Sequence, residues 1–145
     1  MFIKQISVFL ENHLGALREL TALLASANLD IRELSVADTQ NFGIIRMILR
    51  SDAMDHAMTV LKENGYTARM NHVICAEIDD KAGGLCRLLT VLEDAKLSVE
   101  YMYSFRRTSA EKVLMVLRLS EQEKGLALLK EAGFSIHSQE ETDRL

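Results

Sequence analysis

The sequence predicts an α+β fold of two tandem βαββαβ modules, each with an antiparallel sheet that carries its helices on one face. Three observations predict it. Residues 12–31 align without a gap over residues 80–99, and six of the twenty positions are identical. Within each copy, apolar residues alternate in some segments and recur at helical spacing in others. The resulting elements follow the same order in both copies, so we interpret the repeat as a duplication.

In the first copy, β-branched and aromatic residues favour an opening strand, and evenly spaced leucines then predict a helix with one apolar stripe. The switch of apolar positions between Ile31 and Leu34 predicts a bulge near Glu33. The expected elements are, in order, a strand over 3–10, a helix with its stripe over 17–27, a strand over 29–36, a turn at 39–41, a strand over 42–49, a helix from 51–52 to 64–65, and a short last strand.

The second copy repeats this series. Ser120 and Glu123 predict a capping box at its second helix, and glycine at 133, like glycine at 65, suits a left-handed helix end. The polar residues 138–145 are expected to fray. The expected elements are a strand over 72–78, a helix with its stripe over 85–95, a strand over 97–106, a turn at 109–110, a strand over 113–119, a helix from 120 to 132–133, and a short last strand.

This order is the ferredoxin-like, split βαβ arrangement. We expect modules at residues 1–70 and 71–145, joined near Asn71 without a flexible linker. Small modules bury little surface alone, so they should pack together or form a homo-oligomer, most simply a homodimer.

Composition excludes several classes of function. The chain has 145 residues, 48% of them hydrophobic and 26% charged, and its net charge is −4. The acidic balance, with no basic block, argues against nucleic-acid binding. No apolar run approaches the roughly 20 residues that cross a bilayer. With no signal peptide and no CxxC motif, we expect a cytoplasmic protein with reduced thiols, no membrane association and no metal or other cofactor.

The repeated loop before the first helix of each copy is the candidate site. A helix N-terminus offers unpaired N–H groups to a carboxylate, and Gly15 and Gly83 leave room for close approach. Asn12 and Asp80 could then receive an ammonium group, which suits an amino acid. The alternative is structural: these two side chains cap the helix and the glycines serve only the turn.

The pattern acidic/amide-x-x-Gly-x-Leu, followed by a leucine-striped helix and then "NLDIRELSV" or "KLSVEYMYS", resembles the ACT domain. That family is a βαββαβ module that usually binds amino acids and regulates metabolic enzymes. The resemblance covers the whole chain as two modules. One departure is that many ACT loops have proline before the glycine, where this chain has Leu14 and Ala82.

The resemblance implies a ligand between the loop of one module and the second strand of another. The copies differ there, since Ala16 becomes Gly84, which we expect to permit closer backbone approach, and aromatic residues replace Glu33 and Ser35. The implied ligand-binding residues are Asn12, His13, Leu14, Gly15, Ala16, Leu17, Asp30 and Ile31 in the first copy, and Asp80, Lys81, Ala82, Gly83, Gly84, Leu85, Ser98 and Val99 in the second.

We therefore expect a non-enzymatic regulatory protein that binds a small ligand and signals to a metabolic enzyme. The ligand that we expect first is an amino acid. The main alternative is a regulatory subunit that docks to such an enzyme without a ligand of its own. A small ferredoxin-like enzyme is a weaker alternative, because no nucleophile–base pair is evident. The four histidines are scattered, without the spacing of metal ligands.

Overall fold

The computed structural model describes residues 1–38 and 41–145. It confirms the α+β class, with antiparallel strands and five α-helices among the described residues. A 3₁₀ turn, Ser51–Ala53, precedes α2. The elements are β1 (Ile3–Glu11), α1 (Ala16–Ser26), β2 (Glu33–Asp38), β3 (Phe42–Ile48), α2 (Met54–Glu63), β4 (Thr67–Asp79), α3 (Gly84–Asp94), β5 (Val99–Arg107), β6 (Lys112–Leu119), α4 (Gln122–Glu131) and α5 (Gln139–Asp143).

The chain forms two compact units, Lys4–Asn71 and Met1–Ile3 with His72–Leu145, here called the first and second modules. The boundary falls inside β4. Neighbouring strands follow the order β2-β3-β1-β4 in the first module and β4-β6-β5 in the second. The division of the chain at 1–70 and 71–145 stays a prediction, since its proper test is whether either part folds alone. None of the described helices has the length and apolar character needed to cross a membrane.

The core of the first module lies between one face of its sheet and its two helices. On β1, Ile6 pairs with Met47 of β3, and both side chains are fully buried. Leu20 and Leu24 of α1 are also fully buried. Each such side chain contributes about 1.5–3 kcal/mol of transfer free energy. Leu17, which the sequence places on the same stripe, keeps 37% of its surface exposed, so the stripe ends before the loop.

The second module has an equivalent core between β4, β5, β6 and the helices α3 and α4. Phe2, from the three N-terminal residues that belong to this unit, packs against it. The buried members of this core are Ile74, Ala76, Ile78, Leu88, Leu92, Leu97, Met115, Leu117, Leu119, Leu126, Leu129 and Phe134.

The capping box predicted at Ser120 and Glu123 is wrong. The residue before α4 is Glu121, and no side chain caps the helix. Ser120 instead accepts a hydrogen bond from the N–H of Ser98 through its Oγ at 3.1 Å. The Gln122 side chain accepts one from the N–H of Leu119 at 2.8 Å. The polar side chains before α4 are therefore used to hold the chain beside β5 and β6.

The end of the second copy also differs from the prediction. Where a last strand was expected, only an isolated bridge between Ile136 and Ala76 is present. The expected frayed tail is the short helix α5. Its cap, Ser138, accepts from the N–H of Glu141, while the Glu141 carboxylate accepts from the N–H of Ser138. This capping box turns the chain into a helix before a strand can extend.

The predicted bulge near Glu33 is absent, because β2 begins at that residue and pairs regularly with β3. The register shifts of the structure lie in β5, between Val99 and Tyr101 and between Ser104 and Arg107. The alternation in β5 looked clean in the sequence, so no pattern signalled them. Residues 39–40 of the predicted 39–41 turn lie outside the described residues. The predicted left-handed conformation after α2 and α4 is confirmed, with φ of 81° at Gly65 and 88° at Gly133.

Candidate functional site

The two repeated loops have the same backbone geometry. Gly15 and Gly83 immediately precede α1 and α3 with φ of 86° and 88°, in the left-handed region that glycine enters without steric cost. The N–H of Ala16 donates to the carbonyl of His13 at 3.1 Å, and the N–H of Gly84 donates to the carbonyl of Lys81 at 3.0 Å. The two glycines are thus required for the turn itself, as the structural alternative expected.

Each loop leaves helix N–H groups available. The N–H groups of Leu17 and Arg18 have no acceptor among the described residues, and the same holds for Leu85 and Cys86. Such groups, together with the partial positive charge of the helix end, attract a carboxylate or another anion. Both loops therefore retain the donors on which the predicted carboxylate site depends.

Asn12 and Asp80 do not cap the helices. The Asn12 side-chain amide donates to the Asp38 carboxylate at 2.9 Å, at the end of β2. The Asp80 carboxylate forms a 2.7 Å ion pair with Arg107, at the end of β5. Each side chain thus ties its loop to the end of the module's second strand, so the capping interpretation is wrong for both residues.

In the first module a groove of about 220 Å³ lies beside the loop. Its lining includes the apolar side chains of Leu10, Ile45 and half-exposed Val36. Polar Asn12 and Asp38 also line it. The other lining residues are Glu11, His13, Ala16, Leu17 and Gly43. Apolar side chains beside helix N–H groups and a carboxylate can hold a small zwitterion.

A second cavity of the first module, of about 320 Å³, lies at the junction of β1, α1 and the start of β4. Glu11 and His13 line both this cavity and the groove. Its walls include aromatic rings of Phe9 and Phe42, which are 42% and 53% exposed. Exposed aromatic rings around a cavity are typical of binding surfaces.

The charged side chains beside the loop of the second module form ion pairs with one another. An opening of about 270 Å³ lies beside Asp79, Asp80 and Lys81. Asp79 accepts a hydrogen bond from the Lys112 ammonium and lies 3.9 Å from that of Lys81. The hydrogen bond and positive charge of Lys112 lower the pKa of Asp79, and the same hydrogen bond raises the pKa of Lys112.

Gly84 was expected to let a ligand approach the second loop more closely. A Cβ at this position would lie 2.0 Å from the carbonyl oxygen of Asp79. The space that glycine leaves is therefore filled by the protein's own backbone. In the first module the equivalent Ala16 is buried and carries a Cβ without this conflict. The loop closes more tightly on the helix in the second copy.

The loops and the predicted strand starts lie at opposite ends of each module. In the first module Asp38 pairs with Gly43, beside the loop, whereas Glu33 pairs with Ile48, five residues or about 17 Å away. Asp30 and Ile31 belong to the connection from α1 that enters β2 at Glu33, the end away from the loop.

The second module repeats this separation. Val99 pairs with Leu119 and Ser98 bonds to Ser120, whereas Asp79, beside the loop, pairs with Lys112. A site with both sets of residues would need two modules, so their joint role stays a prediction.

The remaining predicted residues are placed as follows. Leu14 is fully exposed at the tip of its loop, and the Nδ1 of His13 lies 3.2 Å from the Leu14 carbonyl oxygen. Leu17 and its counterpart Leu85 are 37% and 38% exposed. Lys81 and Ala82 are exposed in the second loop. In the described part of the chain no cluster of His, Cys, Asp or Glu could hold a metal ion.

Asp38 and Arg107, which hold the two loops, were not among the site residues predicted from the sequence. A signal for both existed, because β3 pairs with β1 and β2 alike, so the end of β2 must lie beside the end of β1. The same holds for β6 with β4 and β5. A charged residue at the end of the second strand is therefore placed next to the loop by the topology alone.

Comparison with known proteins agrees with this geometry. A family model described as an ACT domain pair matches residues 1–143. Protein BT0572 from Bacteroides thetaiotaomicron has a similar crystal structure, with a TM-score of 0.88, 32% identity, and coverage of 100% of this chain and 98% of that one. The regulatory subunit of aspartate kinase from Thermus thermophilus has a TM-score of 0.64 at 13% identity, with 90% of this chain and 92% of that chain covered.

The corresponding subunit from Thermus flavus gives a TM-score of 0.63 at 12% identity, over 89% of this chain and 91% of that one. At such low identities the similarity to the two Thermus subunits shows the fold alone. No curated protein matches the sequence. The family match covers nearly the whole chain, and it agrees with the repeated left-handed loops and the ferredoxin-like strand order. The chain belongs to the family of ACT domain pairs.

Proposed function

We propose that this protein is a non-catalytic regulatory protein that binds an amino acid at the loops of its ACT modules. The observation that carries the proposal is the groove of the first module. Leu17, other apolar side chains and the Asp38 carboxylate line it, and the N–H groups of Leu17 and Arg18 at the adjoining helix end have no acceptor among the described residues. The ligand carboxylate would bind the N–H groups, and its ammonium group would bind Asp38 and the Asn12 side-chain oxygen.

The size of the groove favours a small ligand. Its volume of about 220 Å³ is below the 300–1,000 Å³ typical of drug-sized sites. Val36, which is 50% exposed, offers an apolar contact for a short side chain. We therefore propose a small amino acid with an apolar or short polar side chain for this groove.

The complete site that we propose also includes strand residues from another module, because these residues lie far from the loop of their own module. They are Asp30 and Ile31, or Ser98 and Val99. Such a site requires assembly, and we propose a homodimer. ACT modules commonly regulate metabolic enzymes, so we propose such an enzyme as the partner and the cytoplasm as the location. Exposed Leu14 at the tip of the first loop supports docking of a partner near the ligand.

Thermal unfolding in the presence of each of the twenty amino acids tests the proposal. A ligand at one hundred times its dissociation constant adds about 2.7 kcal/mol to the free energy of unfolding. At least one amino acid should raise the unfolding temperature in a concentration-dependent manner. If none does, while a partner enzyme is still bound, the protein is a docking subunit without its own ligand.

Glycine variants then locate the site. Gly15→Ala and Gly83→Ala place a methyl group in each loop, and Gly133→Ala is a matched control. All three glycines have φ between 86° and 88°, and a Cβ at any of them meets no heavy atom within 4 Å. The cost in stability should therefore be similar, about 1–2 kcal/mol each. Only the loop variants should weaken amino-acid binding, and equal affinity in all three would remove the loops from the site.

A further inference from the structure

The two modules differ at one cross-strand pair beside their loops. In the second module Asp79 pairs with Lys112, and in the first module Glu11 pairs with Phe42 at the equivalent register. The carboxylate is kept in both copies, but the lysine of one copy is replaced by an aromatic ring in the other. The duplication thus allows the same carboxylate position to be compared in two copies, one with a lysine opposite the carboxylate and one without.

In the second module the ammonium group is hydrogen-bonded to the carboxylate. Lys112 donates a hydrogen bond to Asp79, and Arg107 forms an ion pair with Asp80 at 2.7 Å. Both carboxylates of this loop are therefore neutralised from within the module. Charge-assisted bonds of this kind are about twice as strong as neutral ones.

In the first module the equivalent carboxylate lines the cavity of about 320 Å³. Glu11 and Glu19 both line it, and neither forms an ion pair with a described residue. The described lining residues include no lysine and no arginine. The cavity therefore carries negative charge that the module does not balance at this place.

Aromatic groups complete the cavity. Phe9 and Phe42 expose 42% and 53% of their surface, and Tyr66 also lines the cavity. The pKa of Tyr66 is raised, first by burial and then by the negative charge of Glu19, which lines the same cavity. Aromatic faces beside carboxylates attract an organic cation through cation–π and charge-assisted contacts.

We propose that this cavity binds an organic cation, a primary ammonium or a guanidinium group carried by a small molecule. The cation takes the place that Lys112 fills in the second module. Two independent observations carry the proposal: the aromatic and acidic lining of the cavity, and the ammonium bound by the equivalent carboxylate in the other copy. The cavity shares Glu11 and His13 with the amino-acid groove, but the cation proposal differs from the proposed function because it needs no ligand carboxylate and no second module.

A pair of probes of nearly equal shape tests the proposal. The n-butylguanidinium ion carries the charge without a carboxylate, and n-butylurea is its neutral counterpart. In titrations followed by amide NMR on the full chain, n-butylguanidinium should shift the signals of Glu11, Glu19 and Tyr66, and n-butylurea should not. n-Butylammonium should bind at the same place. Equal shifts from the charged and neutral probes would overturn the proposal.

Two variants sharpen the test. Glu11→Gln removes the charge and should weaken n-butylguanidinium binding by about tenfold or more, as expected for loss of a charge-assisted hydrogen bond. Phe42→Lys imitates the second module and should abolish binding, because the cavity then holds its own ammonium. Asp79→Asn is the matched control in the other loop and should leave the affinity unchanged.

Amide spectra of the variants establish that each is folded. A folded Phe42→Lys variant with undiminished binding would overturn the proposal. Binding of n-butylguanidinium together with no response to any amino acid would contradict the proposed function and leave the cation site standing. If an amino acid binds and n-butylguanidinium does not, the cation site is contradicted and the proposed function still stands.

Discussion

Asp80 and Arg107 form a 2.7 Å ion pair that joins the second loop to the end of β5. Asn12 and Asp38 make the equivalent connection in the first module with an amide and a carboxylate. The duplication has kept the connection and changed its chemistry. In the first copy the strand contributes the negative charge, and in the second copy the loop does. The first loop thus has a carboxylate with no ion pair among the described residues, whereas the second already holds a guanidinium.

Loss of the Asp80–Arg107 ion pair should have a small effect on stability. The Arg107 side chain is 69% exposed, and exposed ion pairs contribute about 0–1 kcal/mol. Arg107→Gln should therefore lower the free energy of unfolding in urea by no more than about 1 kcal/mol at low salt. The difference from the unmodified protein should shrink in 1 M salt, where the Debye length is about 3 Å. A larger loss that persists in salt would show that the pair is more than a surface contact.

The two cysteines should react very differently. Cys75 is fully buried in β4, and burial, with the charges of Glu77 and Glu141, raises the pKa of its thiol to about 12. Cys86 is exposed in the first turn of α3. Thiol titration with an aromatic disulfide should find one reactive group in the native protein and two after denaturation. Rapid reaction of both in the native protein would contradict the placement of β4.

The capping box of α5 should stabilise the second module, and the one expected at α4 should not. Ser138→Ala should lower the free energy of unfolding by about 1 kcal/mol, the usual cost of losing a helix cap. Glu123→Ala, at the position predicted for the absent box, should change it by less than about 0.5 kcal/mol. Urea unfolding of the two variants decides between the arrangements, and a larger effect at Glu123 would contradict the structure.

Stability should depend on pH through the Asp79–Lys112 pair at both extremes. The pKa of Asp79 is lowered in the folded state, so its contribution is present above the ordinary aspartate value and is lost as pH falls through the folded value. The pKa of Lys112 is raised, so its contribution is present below the ordinary lysine value and is lost as pH rises through the folded one. Lys112→Met should flatten both limbs of the stability profile. An unchanged profile would show that the pair is not formed in solution.

The repeat predicted the fold well because identical positions and apolar periods occur twice in register. It did not predict α5, because the Ser138–Glu141 capping box competes with a strand that the first copy does form. Gly84 was misread because a glycine in the sequence does not say whether a ligand or the carbonyl of Asp79 takes the free space. The meaning of such local patterns depends on which other segments of the protein pack against them, and only the structure gives that.

The candidate site was predictable only in part. The loop glycines and the helix N–H groups follow from the motif, but the partners of Asn12 and Asp80 depend on strand pairing. Asp38 and Arg107 lie 26 and 27 residues further along the chain. No short motif connects them to the loops. The asymmetry between the two loops therefore emerged only from the structure.

The most direct test of amino-acid binding at the loops is amide NMR with the amino acid that raises the unfolding temperature most. The N–H signals of Leu17 and Arg18 should shift most strongly, with smaller shifts at Asn12 and Val36. The Gly15→Ala variant should lose these shifts, and Gly133→Ala should keep them. Strong shifts confined to residues away from both loops, with Leu17 and Arg18 unmoved, would contradict the central claim.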